Sequence, residues 1–273
     1  MAIEVQDLEG VKSDCLAPAA TEAKCENVAV GKVALHPGKC FVLAMLAGVF
    51  IGFGATFFLT FTADPTLSFG VKKAVGGLCF CLGLVLVLCC GAELFTGNSL
   101  MVQALASKKI TWGGMLKNWV IVLLGNLAGS LLLVFIVSMA GIASIKAGDA
   151  TIGSNMATVA AGKINLPWVQ IFFRGILCNM LVCLAVWIGF AGKTIADKVL
   201  GILLPIAAFV ACGYEHCVAN MFFLPMGMVA DPTKVDVTGI LYNLSASIPG
   251  NIVGGAILIG LAYWYAYHKK TQA

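Results

Sequence analysis

Long apolar stretches alternate with short polar stretches along most of the chain. A helix that crosses the hydrocarbon core of a bilayer needs about 20 mostly apolar residues. The pattern predicts six such spans, at residues 40–62, 74–106, 113–143, 166–191, 199–229 and 238–267. Near 91–98 and 213–220, glycine, glutamate and asparagine residues interrupt the second and the fifth span. We therefore predict an all-α polytopic membrane protein of six transmembrane helices, with broken second and fifth helices.

Composition agrees with that prediction and adds an orientation. Hydrophobic residues make up 60% of the 273-residue chain and charged residues 11%, whereas soluble domains carry about 25% charged residues. We expect a cytoplasmic N-terminal segment at 1–37, one transmembrane domain at 38–267 and a cytoplasmic tail at 268–273. Six spans place both termini on one side, and 11 of the 17 basic residues fall on that side. The positive-inside rule therefore predicts cytoplasmic termini in the inner (plasma) membrane.

Two sequence patterns occur once in each half of the chain. GAELFTGN at 91–98 and GYEHCVAN at 213–220 share the form G-x-E-x-x-x-x-N, with an offset of 122 residues. NWVIVLLGNLAG at 118–129 and NLSASIPGNIVG at 243–254 share the form N-x6-G-N-x2-G, with an offset of 125. These offsets predict two repeats, at about 38–143 and 166–267, and three spans per repeat invert the second relative to the first. In inverted repeats, broken helices meet near the bilayer midplane and line the path.

The two breaks contain the side chains that we expect to carry the chemistry. Thr96 lies in the first break and His216 in the second, and an ionisable group inside a membrane span indicates a functional site. In this interpretation the His216 ring N–H and the Thr96 hydroxyl donate hydrogen bonds to a dehydrated anion. The alternative is a structural His216 that a neighbouring hydroxyl or carbonyl satisfies. Gly91 and Gly97 are expected to let the backbone turn at the first break.

Glu93 and Glu215 occupy the same position in the repeated motif. We expect each carboxylate to accept hydrogen bonds from backbone N–H groups freed by the break, or from a nearby amide. The expected supporting amides are Asn98, Asn126, Asn179, Asn220 and Asn251. Glu215 is also a candidate to orient His216 through an intermediate group. Because a bare carboxylate would repel an anion, we expect neither glutamate on the wall of the path.

Apolar and basic side chains complete the predicted path. Six apolar residues are candidates for its walls: Phe80, Leu84, Leu94, Phe95, Val182 and Phe209. Lys163 ends a polar loop before the fourth span, and we expect it either to be solvated or to raise the local anion concentration at a vestibule mouth. Most of the 11 cysteines lie in apolar helix sequence, where cysteine packs as a small hydrophobe. We therefore expect no metal site and no cofactor.

Three motifs in this order make the chain resemble the formate/nitrite transporter family: GAELFTGN, GILCNMLVCLAVW at 175–187 and GYEHCVANM at 213–221. The resemblance covers residues 36–267. It implies a homopentamer of aquaporin-like protomers, each with its own pore for formate, nitrite or hydrosulfide, and no enzymatic activity. It also implies that Thr96 lies on a loop within the second helix, that His216 is the central pore residue and that Lys163 is the vestibule lysine. The six wall residues become apolar constrictions, and the supporting polar groups become Asn179, Glu215 and Asn251.

The cargo and two alternative functions stay open at this stage. Formate, nitrite and hydrosulfide are all small monovalent anions with weak conjugate acids, and likeness to formate-type members favours formate. If His216 donates a proton, the cargo crosses as a neutral acid, which removes most of the desolvation cost and couples flux to protons. The alternatives are an aquaporin-like channel for neutral solutes and a membrane redox or metal enzyme that uses the cysteines.

Overall fold

The computed structural model describes residues 15–268 and is almost entirely helical in that range. Predictions for residues 1–14 and 269–273, which include part of the N-terminal segment and nearly all of the tail, lie outside the described residues. A two-stranded antiparallel sheet pairs β1 (Lys146–Ala147) with β2 (Ala150–Thr151). The α-helices of the described range are α1 (Pro18–Ala34), α2 (Pro37–Thr62), α3 (Phe69–Leu86), α4 (Val102–Ala106), α5 (Trp112–Met139), α6 (Ile152–Ile164), α7 (Trp168–Ala191), α8 (Ile195–Ala211), α9 (Cys217–Ala230), α10 (Val237–Ile252) and α11 (Ala262–Tyr267).

Within residues 15–268, five helical stretches are long and apolar enough to cross a membrane. They are Pro37–Thr62, Phe69–Gly91, Trp112–Met139, Trp168–Ala191 and Val237–Tyr267. The last joins α10 and α11 through a π-helical stretch at Val253–Leu261. The predicted fifth span is divided into α8 and α9, of 17 and 14 residues, and each is shorter than the roughly 20 residues that a full span needs.

The first break follows a π-helical turn. α3 continues into the π-helix Val87–Gly91, and the chain returns to helix in a 3-10 turn at Gly97–Met101 that leads into α4. Gly91 adopts φ +84°, a left-handed conformation that favours glycine, so its predicted turning role is confirmed. The same prediction for Gly97 is wrong, because Gly97 has no positive φ and is the first residue of the 3-10 turn.

The second break is shorter than predicted. α8 ends at Ala211, Gly213 adopts φ +71°, and α9 begins at Cys217. The interruption therefore covers residues 212–216 rather than 213–220. The helix resumes early because His216 Nδ1 accepts a hydrogen bond from the backbone N–H of Ala219 at 3.0 Å, which caps the first turn of α9.

A helix, α6, replaces the polar loop that was expected before the fourth span. It begins with a capping box in which Thr151 and Ser154 each bond the other's backbone N–H. Its buried face packs against α9, where the Ala160 methyl lies 2.2 Å from the position of a β-carbon on Gly227. With 13 residues, α6 is too short to stand out as a span, and it places Lys163 in a helical turn.

Close backbone contacts join α2 to α5, and α7 to the π-helical stretch that follows α10. A β-carbon on Gly129 of α5 would lie 1.9 Å from the carbonyl oxygen of Met45 on α2. In the other half, a β-carbon on Gly254 would lie 2.1 Å from the carbonyl oxygen of Ile176 on α7. Both positions therefore require glycine, and the helices pack backbone to backbone, as membrane helices do over small residues.

Two buried glutamates attach α1 to the segment after α4 and to the end of α11. Lys109 Nζ lies 2.5 Å from Glu26 Oε2, the Ser107 hydroxyl donates to Glu26 Oε1, and His268 Nδ1 lies 3.3 Å from Glu26 Oε1. Burial and the adjacent Glu26 raise the pKa of Glu22 to about 7. Burial opposes ionisation of Glu26 as well, but hydrogen bonds from Lys109 and Ser107 outweigh it and lower the pKa of Glu26. Below pH 7 the two acids therefore carry one negative charge, which Lys109 balances.

Gly129→Ala should lower the stability of the protein because its methyl group would force α2 and α5 apart. We expect a loss of about 1–3 kcal/mol, the usual cost of overpacking, seen as a lower melting temperature in detergent. Gly113→Ala on the same helix is the matched control, since nothing lies within 4 Å of its added β-carbon. Equal melting temperatures for the two variants would contradict the close contact.

Glu22→Gln should reduce the pH dependence of stability. Because the pKa of Glu22 is raised from 4.5 to about 7 in the folded protein, its protonation stabilises the fold fully below 4.5, and this contribution is lost as the pH rises through 7. We expect the wild-type melting temperature to fall between about pH 5.5 and about pH 7.5 by more than that of the variant, which stays uncharged. Groups remote from Glu22 titrate alike in both proteins and cancel, so the difference reports on Glu22 together with its neighbours Glu26 and His268. Equal shifts would refute the assignment.

Candidate functional site

Each helix break borders one cavity. The first, of about 330 Å³, lies between the first break, α1, α3 and α7, and is called here the Lys32 cavity. The second, of about 260 Å³, lies between the second break and α3, α6, α7, α8 and α9, and is called the Lys163 cavity. His216 borders the Lys163 cavity, and Leu94 and Gly97, which lie close to Thr96 in the chain, border the Lys32 cavity. The two breaks therefore stand between the cavities.

A hydrogen bond between Thr96 and His216 joins the two breaks. The Thr96 hydroxyl oxygen lies 3.0 Å from His216 Nε2, and both residues are at most 2% exposed. Since Nδ1 of the same ring accepts the N–H of Ala219, that nitrogen carries no proton, and a neutral imidazole then holds its proton on Nε2. His216 therefore donates to Thr96, and the hydroxyl proton of Thr96 is left to donate to a third group.

Apolar rings enclose this pair on the side of the Lys163 cavity. Phe209 stacks on the His216 imidazole with ring centroids 5.8 Å apart, and Phe80 meets Phe209 edge-on at 5.6 Å. Phe80 also stacks on Phe223 at 6.1 Å. These rings offer no hydrogen bonds to replace water, and the donor left by the His216–Thr96 pair is the Thr96 hydroxyl. The expectation that the His216 N–H also donates to the anion is wrong, because Thr96 accepts that bond.

All six predicted wall residues are buried, and four of them border a cavity, two on each side. Those four are Phe80 and Phe209 at the Lys163 cavity, and Leu84 and Leu94 at the Lys32 cavity. Phe95 instead packs edge-on against Trp119 with centroids 6.0 Å apart, and Val182 lies in the core. Neither Phe95 nor Val182 borders either cavity.

A lysine–glutamate pair holds the first break against α1. Lys32 Nζ lies 2.6 Å from Glu93 Oε1, and Asn98 Nδ2 donates to Glu93 Oε2 at 2.8 Å. Asn98 also donates to Asn118 Oδ1 at 2.9 Å, and Asn118 Nδ2 donates to the carbonyl oxygen of Lys32 at 3.5 Å. The carboxylate is therefore neutralised and bonded on both oxygens.

The same connections recur at the second break. Lys163 Nζ lies 3.0 Å from Glu215 Oε1, and Asn220 Nδ2 donates to Glu215 Oε2 at 2.7 Å. Asn220 also donates to Asn243 Oδ1 at 2.7 Å, and Asn243 Nδ2 donates to the carbonyl oxygen of Lys163 at 3.1 Å. Every bond of the first network has its counterpart in the second.

The backbone groups freed by each break bond to an asparagine rather than to a glutamate. Asn126 accepts from the N–H of Phe95 at 2.9 Å and donates to the carbonyl oxygens of Ala44 and Glu93 at 2.8 and 2.9 Å. Asn126 is fully buried. Of the two partners expected for Glu93, the nearby amide is confirmed, since Asn98 donates to it, and the freed N–H of Phe95 goes to Asn126 instead, because only an amide can both accept and donate here.

Asn251 does the same at the second break. It accepts from the N–H of Cys217 at 2.9 Å and donates to the carbonyl oxygens of Gly175 and Glu215 at 2.8 and 2.9 Å. Asn179 donates to the carbonyl oxygens of Thr96 and Asn251 at 3.3 and 2.7 Å. Asn179 therefore ties the Thr96 loop directly to the helix that carries the second asparagine.

Three further expectations are corrected. Glu93 and Glu215 do border the cavities, which is compatible with an anion path because a lysine neutralises each one. Lys163 is not a solvated loop residue, since its side chain is 17% exposed and paired with Glu215. Glu215 does not orient His216 through an intermediate group, because Ala219 and Thr96 occupy the two ring nitrogens.

Sequence reasoning missed three residues of these networks. Asn118 and Asn243 are the first asparagines of the repeated N-x6-G-N-x2-G pattern, so the repeat itself was the signal for them. Lys32 had no such signal, because α1 precedes the predicted repeat and its pairing with Glu93 spans 61 residues of sequence.

Among the described residues, one group brings three potential metal ligands within 4.8 Å of one another: Glu22, Glu26 and His268. Lys109 and Ser107 already bond Glu26, and none of these residues borders either cavity. In the same range, no cysteine belongs to such a group.

Comparisons with known proteins agree along the length of the chain. A sequence profile described as formate/nitrite transporter matches residues 19–265. The formate channel FocA of Escherichia coli (strain K12) is 41% identical over 278 residues, which cover 95% of this chain and 97% of that protein. A solved structure described as an FNT family ion channel has a TM-score of 0.84 at 32% identity and covers 90% of this chain and 98% of its own. Another, described as a pentameric formate channel with formate bound, has a TM-score of 0.79 at 38% identity and covers 85% and 98%.

Asn251→Asp should disrupt the second break although it preserves shape. A carboxylate cannot donate to the carbonyl oxygen of Glu215 at the break, and leaving a buried acceptor without a partner costs about 1–3 kcal/mol. We expect a sharp fall in folded yield and melting temperature, measured by size-exclusion chromatography and thermal unfolding in detergent. Asn165→Asp, at an exposed helix end, is the control and should behave as the wild type. Normal yield of the Asn251 variant would contradict the structural role of this amide.

Proposed function

This chain belongs to the formate/nitrite transporter family, and on that premise we propose that it works as a membrane channel for small monovalent anions, with formate as its cargo. It is an integral, multi-pass membrane protein and not an enzyme. The observation that carries the proposal is the hydrogen bond between Thr96 and His216, buried among phenylalanine rings between two lysine-bearing cavities. This arrangement offers hydrogen-bond donors to a group that has lost its water.

In the proposed mechanism, positive potential gathers the anion and hydrogen bonds replace its hydration. Lys163 attracts the anion into its cavity, while its pairing with Glu215 limits how tightly the anion is held. The rings of Phe80 and Phe209 exclude hydrated cations and larger organic anions. At the centre the Thr96 hydroxyl donates to the cargo, and His216 donates to Thr96. The remaining passage is through the Lys32 cavity.

Proton transfer is the second part of the proposal. For this step His216 must first take up a second proton from solution at Nδ1, which breaks its bond from the Ala219 N–H. The imidazolium then gives its Nε2 proton to Thr96 while the Thr96 hydroxyl passes its own proton to the anion, so that a neutral imidazole remains and the cargo crosses the apolar region as a neutral acid. A neutral molecule avoids most of the cost of transferring a charge out of water. Flux would then depend on pH.

The other predicted site residues have supporting roles in this proposal. Asn98 and Asn220 hold the carboxylates of Glu93 and Glu215. Asn179 holds the Thr96 loop, and Asn251 holds the second break. Phe95 and Val182 pack behind the apolar walls.

We also propose that six spans form two inverted repeats within one domain at 38–267. The matched networks at the two breaks support this arrangement, and they extend each repeat to include a short preceding helix, α1 or α6. The similarity to a pentameric formate channel supports a homopentamer with a pore in each protomer. The distribution of basic residues supports cytoplasmic termini in the inner membrane.

Nitrite is the second candidate cargo because it presents two acceptor oxygens, as formate does, and hydrosulfide is the third. A channel for neutral solutes has no use for a lysine in each cavity, so the residues favour an anion path.

Flux in liposomes tests the proposal. The full-length protein should move formate faster than empty vesicles do, faster at lower pH, and without moving glycerol. Thr96→Val should lower the formate rate about tenfold or more, because a buried anion loses a hydrogen bond worth about 1.5–3 kcal/mol. Thr96→Ser keeps the hydroxyl and is the matched control. The flux rates of nitrite and hydrosulfide, measured beside that of formate, show which anion the protein moves fastest.

Each outcome has a distinct meaning. Glycerol flux without anion flux would replace the anion channel by a neutral-solute channel. Formate flux that ignores pH and survives His216→Ala unchanged would leave the channel in place but remove the proton coupling.

A further inference from the structure

Two basic side chains of the Lys163 cavity take no part in the networks described above. Lys73 of α3 and Arg174 of α7 border this cavity beside Gly213. Arg174 Nη1 lies 3.8 Å, and Lys73 Nζ 4.0 Å, from the position that a β-carbon on Gly213 would take. Two cationic groups from different helices therefore converge on one small space, which Gly213 leaves open because it has no side chain.

Within residues 15–268, no carboxylate oxygen lies within 4.0 Å of either cationic group, and Glu215, which borders the same cavity, is paired with Lys163. In that range Lys32, Lys109 and Lys163 each lie within 4.0 Å of a carboxylate oxygen, whereas Lys73 and Arg174 do not. Arg174 Nη1 donates to the carbonyl oxygen of Gly213 at 3.3 Å, and Lys73 Nζ lies 5.6 Å from the ring centroid of Phe69. Both side chains are half-buried. Like charges that converge beside a cavity repel one another unless an anion lies between them.

The first break shows that the fold does not need these cations. The N–H of Glu215 bonds the carbonyl oxygen of Arg174 at 3.3 Å, and the N–H of Glu93 bonds that of Leu43 at 3.2 Å. By this backbone hydrogen bond, Leu43 is the counterpart of Arg174 at the first break. Gly91 is the counterpart of Gly213 in the repeated motif. No atom lies within 4 Å of the position that a β-carbon on Gly91 would take, so no cationic group approaches it. One break is built without either charge, so the charges at the other break have a different purpose.

We propose that Lys73 and Arg174 form an anion-binding site at the rim of the Lys163 cavity that captures a small planar anion with two oxygen atoms. The inference rests on the proposed function and adds a second contact point to it. A guanidinium group presents parallel N–H donors whose spacing fits the two oxygens of one carboxylate or nitrite, and an ammonium group adds a point charge. The captured anion then moves inward to Lys163, which is already paired with Glu215. Hydrosulfide has a single acceptor atom and therefore does not use the two parallel N–H donors of the guanidinium group.

Concentration dependence of uptake tests the site. Formate uptake is measured in vesicles of zwitterionic phosphatidylcholine, so that charged lipid headgroups do not compete. At low ionic strength, Arg174→Gln and Lys73→Gln should each raise the half-saturating formate concentration about three- to tenfold with the maximal rate nearly unchanged. High salt should reduce the difference. Lys72→Gln is the matched control, because it makes the same charge change on α3 at a residue that does not border the cavity.

Arg174→Lys separates charge from shape. It keeps the positive charge but loses the planar fork, so it should weaken the apparent affinity for formate and nitrite and leave that for hydrosulfide within about twofold. Equal weakening for all three anions would show that only charge matters and would overturn the assignment of a two-oxygen ligand.

Binding to the detergent-solubilised protein gives a readout that does not need transport. Sodium formate should raise the wild-type and Lys72→Gln melting temperatures in a saturable way, and both the Lys73 and the Arg174 glutamine variants should need about three- to tenfold more formate for the same rise. If wild-type vesicles move no formate, the proposed function fails, and this binding measurement alone decides about the site. If flux is normal but the two variants match Lys72→Gln in both measurements, or change only the maximal rate, the site is overturned and the channel stands.

Discussion

A helix that breaks inside a membrane exposes backbone N–H and carbonyl groups that hydrocarbon cannot satisfy, and the rest of this structure depends on how that demand is met. Asn126 and Asn251 each accept one freed N–H and donate to two carbonyl oxygens. With the backbone satisfied, the carboxylates of Glu93 and Glu215 are left to bind lysines at the cavities. The side chains within the breaks can then serve a dehydrated site.

The two breaks use one scaffold to present different chemistry. At the offset of 122 residues, His216 corresponds to Leu94 and Thr96 to Val218, so neither half contains both members of the central pair. The pair exists only because the two breaks meet. The same contrast separates the cavities, since Arg174 corresponds to Leu43 in backbone bonding. The shared hydrogen bonds form the same scaffold at both breaks, and the positions that differ give the two breaks different polar and charged groups.

Sequence alone predicted the long apolar helices and both breaks, and it singled out Thr96 and His216, because long apolar runs and a repeated motif are local signals. It could not predict that α1 and α6 are helices beside the breaks, since both are short and polar enough to resemble loops. The lysine pairings were also out of reach: Lys163 and Glu215 are 52 residues apart, and no local pattern records that distance. Asn126 and Asn251 were predicted as supporting amides, but the bonds to the freed backbone N–H groups were predicted for the glutamates. The broken backbone needs a donor and an acceptor in one side chain, which an amide has and a carboxylate lacks.

The positions of the two asparagines have a consequence for how the chain is made. Asn126 comes 31 residues after Phe95, whose N–H it accepts, and Asn251 comes 34 residues after Cys217, whose N–H it accepts. During synthesis each broken helix therefore emerges before the amide that satisfies it, and it gains that partner only when the next span arrives. The asparagine bonds at each break join residues from one half of the chain. The Thr96–His216 bond joins residues 120 positions apart and therefore needs both breaks to be present. The order of translation thus separates the stabilisation of each break, which needs residues from one half of the chain, from the formation of the central pair, which needs residues from both.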